Sequence, residues 1–180
     1  MPRSASKPRT TSKPRFEVNR RRLYVDSRYG QLHVHSAFPS SGGFDEETTL
    51  IAVHDEGVTG RSLDAFAGEL GHDRSVYAPD LPGCGESDPI GKAIGATAEC
   101  AALCDFLDQM RFRQVDVFGI GGGAKVAVEF ALARAQKVRR VVIAGAAADI
   151  ARRLEGHAPC VEIEPDDDGR RLADQVRAQL

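Results

Sequence analysis

Gln114-Val-Asp-Val-Phe-Gly-Ile-Gly-Gly-Gly-Ala-Lys125 decides the fold, because a short apolar run enters a glycine cluster and leaves as an amphipathic segment. The pattern predicts a strand over Val115 to Phe118, a sharp turn at the glycines and a helix over Ala124 to Arg134. In an α/β sheet such a junction lies at the carboxyl end of a strand, where ligands and catalytic groups collect. The centre of the turn is Gly121, which has no side chain.

Upstream of the junction, Cys100, Leu103, Cys104, Leu107 and Met110 form one apolar stripe of a helix, with Thr97 as its expected cap. Val76 to Ala78 is a strand ending in Pro79-Asp-Leu-Pro-Gly-Cys-Gly-Glu-Ser-Asp88. Leu63, Phe66, Ala67 and Leu70 predict a helix over Ser62 to Leu70, and Leu50 to Val53 is a buried strand followed by His54-Asp55-Glu56-Gly57. Leu23 to Phe38 alternates as an antiparallel hairpin about Tyr29-Gly30, and Pro39 to Thr48 is a polar turn region. Downstream, Val141 to Ala144 is another strand. Strands alternating with helices predict an α/β fold, a mainly parallel sheet covered by helices on both faces. Val115 to Phe118 is expected at its centre, between Val76 to Ala78 and Val141 to Ala144.

A chain of 180 residues with 42% hydrophobic content is expected to form one globular domain, placed at 16–180. Its longest small-and-apolar run, Val141 to Ala148, is far below the roughly 20 residues of a membrane span. Without an apolar stretch behind the basic amino end, a cytoplasmic protein is expected. Cys84, Cys100, Cys104 and Cys160 show no metal or redox spacing and are expected as packed thiols. Residues 1–15 read as a disordered basic leader. Through Arg22 the amino end carries eight basic residues against Glu17, about +7 in a chain of net charge −2. With no aromatic residues among the charges to stack on bases, a solubilising role is expected rather than a nucleic-acid one.

The order of hairpin, strand ending in His, helix, Ala78-Pro-Asp-Leu-Pro-Gly-x-Gly-x-Ser-Asp88, helix and glycine turn resembles the α/β-hydrolase fold over Leu23 to Ala147. Tyr77 to Asp88 is the best-matched stretch. The resemblance implies that Gly119 and Gly123 are the outer glycines of a Gly-x-Ser-x-Gly nucleophile elbow. It also implies that Asp167 or Asp168, after a strand beginning at Cys160, takes the place of the catalytic acid.

The departures from that pattern point away from catalysis. The nucleophile position is Gly121, and downstream of it the only histidine in the sequence, His157, precedes the strand that carries the acid. Where the family usually has His-Gly for its oxyanion site, this chain has His54-Asp55-Glu56, with side chains directed either at that site or at solvent. The linker Ala148 to His157 leaves no room for a helical cap, and no eighth strand follows the last helix. A truncated gene product with an exposed sheet edge is expected, and that edge favours self-pairing. Together these features predict a degenerate hydrolase that binds a small molecule or a partner, with His54, Asp55, Gly121 and Gly122 as ligand-binding positions and no metal or cofactor. Residual hydrolysis of a small ester is the enzymatic alternative.

Other chemistries are weaker on the residues themselves. Ser87 follows a Gly-x but precedes Pro89, so hydrogen bonding within its loop is expected; Cys84 has no adjacent base and reads as an inert thiol. Lys125 is expected to neutralise Asp116 or Glu129 at the surface. His33 and His35 share a strand face, but with no third ligand nearby an exposed face is expected rather than a metal pair. Gly119-x-Gly121-x-x-Ala124 also fits a dinucleotide fingerprint, yet no acid precedes Asp149 in the next strand region to hold a ribose.

Overall fold

This computed structural model describes residues 16–41, 47–92, 94–146 and 148–180. The expected leader, 1–15, lies outside the described residues. The apolar runs become seven strands of one sheet: β1 (Val18–Ser27), β2 (Gly30–Pro39), β3 (Leu50–Val53), β4 (Val76–Pro79), β5 (Val115–Ile120), β6 (Val138–Ala144) and β7 (Cys160–Ile163). Five helices connect or follow them: α1 (Asp64–Leu70), entered through the 3-10 turn Gly60–Leu63, α2 (Ala96–Gln109), α3 (Gly122–Ala133), α4 (Ala148–Arg152) and α5 (Gly169–Arg177).

The sheet runs β1-β2-β4-β3-β5-β6-β7; β2 is antiparallel to β1 and to β4, and the other pairs are parallel. The expected neighbour of β5 was Val76 to Ala78, but β3 lies between them, pairing Leu50 with Val76 on one side and Ile51 with Val117 on the other. Chain order does not carry that insertion. It accompanies two crossovers on opposite faces of the sheet, α1 after β3 and α2 after β4.

The pleat divides the core in two. Ile51, Val53 and Val117 pack with Leu103, Phe106 and Phe130 under α2 and α3, whereas Leu50, Ala52 and Phe118 pack with Phe66, Leu70 and Val176 under α1 and α5. All four β3 side chains are buried, as expected of a parallel strand covered on both faces. Cys100 and Cys104 are buried in the α2 stripe. Thr97 does not cap this helix; the capping position is Gly95, whose carbonyl accepts from the Ala98 and Glu99 amides.

The hairpin begins earlier than its alternation suggested. Arg20, Arg21 and Arg22, grouped by charge with the leader, are β1 residues paired with Ala37, Ser36 and His35. One polar anchor lies under the sheet. Asp116 is fully buried and is held by a forked pair of hydrogen bonds from Arg139, with Arg74 3.7 Å away. Lys125 therefore does not neutralise it, and Glu129 pairs with Arg153. No helix among the described residues is long and apolar enough to cross a membrane.

Candidate active site at the glycine elbow

β3 and β5 are neighbours, yet β3 is followed by α1 on one face and β5 by α3 on the other. Their carboxyl ends therefore flank the point where the winding of the sheet reverses, the usual binding crevice of such folds. His54 and Asp55 enter it from β3 and Gly121 from β5.

The turn between β5 and α3 is sharp and holds one residue at positive φ. Gly121 adopts φ 55° and ψ −124°, a conformation that costs an L-residue free energy, and its amide donates to Ala144 O on β6 at 2.9 Å. Two residues on, a side chain at Gly123 would collide with the carbonyl oxygens of Val53 and His54. The backbone of α3 is thus seated directly against the end of β3.

Asp55, though exposed, turns its carboxylate onto the start of α3. Its Oδ1 accepts hydrogen bonds from the Gly122 amide at 2.6 Å and from its neighbour Glu56 N–H at 2.7 Å. A Cβ placed on Gly121 would overlap this carboxylate. These two backbone donors are therefore satisfied by a side chain of the protein itself. The same carboxylate lies where a pyrophosphate would need the first amides of α3, so the dinucleotide fingerprint does not present a free cradle.

His54 is buried and fully engaged: Nδ1 donates to Asp55 O at 2.8 Å, and Nε2 accepts from the Leu81 amide at 3.0 Å. Burial pushes its pKa below the ordinary histidine value, only partly offset by the Asp55 carbonyl and nearby carboxylates. The ring fastens the loop after β3 to the loop after β4 as a neutral imidazole.

Residues 32–179 match the Alpha/beta hydrolase family. The chain belongs to the α/β-hydrolase family. A stretch of 79 residues is 35% identical to 2-hydroxy-6-oxo-2,4-heptadienoate hydrolase of Pseudomonas putida, covering 43% of this chain and 29% of that protein. Among solved structures, naproxen esterase of Bacillus subtilis superposes with a TM-score of 0.62 at 20% identity, over 72% of this chain and 44% of its own. The N-acyl homoserine lactonase AidH, complexed with N-butanoyl homoserine, gives 0.61 at 23% identity, over 69% of this chain and 44% of its own. The chain thus spans less than half the length of these relatives, and the structural likenesses carry the fold alone.

The loop after β7, where the resemblance placed the acid, approaches the glycine turn: a Cβ on Gly145 would lie 3.6 Å from Pro165 and 3.9 Å from the Gly121 nitrogen. Asp168, however, is the N-cap of α5, accepting from the Arg170 and Arg171 amides at 2.9 and 3.4 Å. Asp167 is exposed beside it. His157 is exposed on the turn after α4, with Nδ1 3.2 Å from Glu155 O.

The loop after β4 is organised around Asp80 and Ser87. Ser87 Oγ donates to Asp80 O at 2.7 Å and accepts from the His33 amide at 2.9 Å, the loop role its sequence context predicts. The Cys84 thiol is half-buried and its pKa is pushed up by burial, reinforced by Glu99 and Asp80. His33 and His35 correct an expectation. Their face of β2 is not open to solvent: His33 is 1% exposed, and Asp80 comes up beside it from β4. A carboxylate supplied 45 residues away leaves no local signal beside the His-x-His pair.

Proposed function

We propose that this chain is a non-hydrolytic member of the α/β-hydrolase family that binds a small molecule or a partner without turning it over. The observation that carries the proposal is the Asp55 carboxylate on the Gly122 amide, in the space a nucleophile side chain would need. Acyl transfer by this fold requires a nucleophile, a base to take its proton and free donors for the oxyanion. Gly121 offers no nucleophile, and the amide best placed for the oxyanion is occupied. Neither histidine nearest the expected place is free to act as base: His54 has both nitrogens engaged and His157 turns back on its own loop. An oxyanion 4 Å from Asp55 would meet a repulsion of roughly 4 kcal/mol at an effective dielectric near 20.

Room for a ligand exists away from the elbow. A cavity of about 460 Å³ opens between β1, β2 and α1, and its walls include Arg20, Arg22, Arg61, His35 and Glu86 but neither Gly121 nor Asp55. The same reading takes the exposed edge of β7 as a place where copies of the chain pair, β7 being the end strand of the described sheet.

The test is covalent labelling. Intact mass spectrometry after incubation with an alkyl fluorophosphonate, beside a heat-denatured sample, is expected to show no native-specific adduct. A stoichiometric adduct formed only by the folded protein would reveal an activated nucleophile and overturn the proposal.

A further inference from the structure

We propose that His33, His35 and Asp80 form a binding site for a first-row divalent metal ion of the zinc class, at the inner end of the cavity between β1, β2 and α1. One ligand atom from each of the three residues lies within 4.8 Å of the other two. His33 Nδ1 is 2.9 Å from Asp80 Oδ2, and His35 Nε2 is 3.9 Å from Asp80 Oδ1. A tetrahedral ion with bonds near 2.1 Å holds its ligands about 3.4 Å apart, so the widest pair must close by up to about 1.4 Å and the 2.9 Å pair must open by about 0.5 Å. Two imidazoles and one carboxylate are a donor set suited to zinc and its neighbours. Water or a ligand group can reach the remaining coordination position from the cavity, whose lining includes His35 and Asp80.

The surrounding charges fit this occupant. His35 Nδ1 lies 3.1 Å from the Asp64 carboxylate, which favours the proton on that nitrogen and turns the Nε2 lone pair toward Asp80. A lone pair facing a carboxylate across 3.9 Å is an unfavourable pairing that a cation between them resolves. His33 supplies an independent sign. Its Nε2 is buried and has no hydrogen-bond partner among the described residues, while a second carboxylate, Glu86, stands 3.9 Å away. With a metal on His33 Nδ1, the ring carries its single proton on Nε2, directed at Glu86. Each histidine then has a carboxylate behind it, the arrangement that orients imidazole ligands and raises their basicity.

Asp80 has capacity to spare. It accepts from the Gly60 amide through Oδ1 at 2.6 Å and from the Glu86 amide through Oδ2 at 3.0 Å, and a carboxylate offers about four acceptor sites. This site stands whether or not the elbow is catalytic, because it shares no residue with Gly121 and Asp55.

The test uses the full-length protein after chelator treatment, titrated with Co²⁺ and with Zn²⁺. Expected are one Co²⁺ per chain with ligand-field bands of a nitrogen-and-oxygen site, no thiolate charge-transfer band, and a thermal midpoint that rises with Zn²⁺ and falls back with chelator. Asp64→Asn, at the surface, should weaken binding by roughly 10- to 100-fold. His35→Asn should abolish stoichiometric binding, with far-ultraviolet circular dichroism confirming the fold. Absence of saturable binding, a thiolate band, or affinity unchanged in both Asp64→Asn and His35→Asn would overturn the proposal.

Discussion

Asp55 Oδ1 accepts a 2.6 Å hydrogen bond from the amide of Gly122, the first residue of the helix that follows the elbow. That amide is the donor an α/β-hydrolase aims at the oxyanion of its tetrahedral intermediate. Here the position already holds a negative charge, supplied by the strand next door. The pairing is self-consistent only because Gly121 lacks a side chain, since a Cβ there would overlap the carboxylate. The bare Gly121 and the Asp55 carboxylate on the Gly122 amide are thus one structural arrangement.

Gly121→Ser is therefore expected to destabilise the fold by about 1–3 kcal/mol, combining positive φ with the clash against Asp55. Asp55→Gly should relieve part of this loss. Chemical denaturation of the four proteins of the cycle checks it: coupling of at least about 0.5 kcal/mol is expected, whereas simple additivity would mean the two residues do not share the space.

Asp168→Ala should cost about 1 kcal/mol of stability through the lost cap of α5. Asp167→Ala, at an exposed position beside it, should change the thermal midpoint by less. Equal losses for the two would show that the capping geometry contributes little.

Asp116→Ala should cost roughly 3–5 kcal/mol, because it leaves the Arg139 guanidinium beside a buried void without its carboxylate, while Arg74 keeps Asp73 and Glu47. Urea unfolding measures this directly. A cost below about 1 kcal/mol would place the pair's charges in water rather than under the sheet.

His54 gives stability a pH dependence of definite sign. Its folded-state pKa lies below the ordinary 6.5, mainly through burial, so below that pH the unfolded chain takes up a proton that the folded protein resists. The contribution is intact above the unfolded value and is lost as pH falls through it toward the lower folded value. Thermal midpoints of wild type and His54→Gln, compared from about pH 7 to about pH 5, should converge as pH falls. Parallel curves would show that His54 protonates equally easily in both states.

The elements that position the site were legible because each has a local signature. The apolar run Val115 to Phe118, its glycines and the stripe of α2 depend on neighbours within a few residues. What sequence could not carry was proximity between distant segments. The side chains of Asp55 and Glu56 were visible, but only the placement of β3 against β5 decides that Asp55 turns onto Gly122 rather than toward solvent. His33 and His35 read as a solvent-facing pair because Asp80 and the Ser87 loop that cover them belong to a later strand. Charge misled at Arg20 to Arg22, where a basic run continues an edge strand whose partner, β2, supplies the burial.

Steady-state hydrolysis tests the central claim most directly. Wild type and the Gly121→Ser/Asp55→Gly variant would be assayed on short-chain aryl esters beside heat-denatured controls. The account predicts no turnover above control for the wild type, and none for the variant, which regains a hydroxyl and an open amide but no base. Saturable turnover by the wild type that survives Ser87→Ala and Cys84→Ala would contradict it.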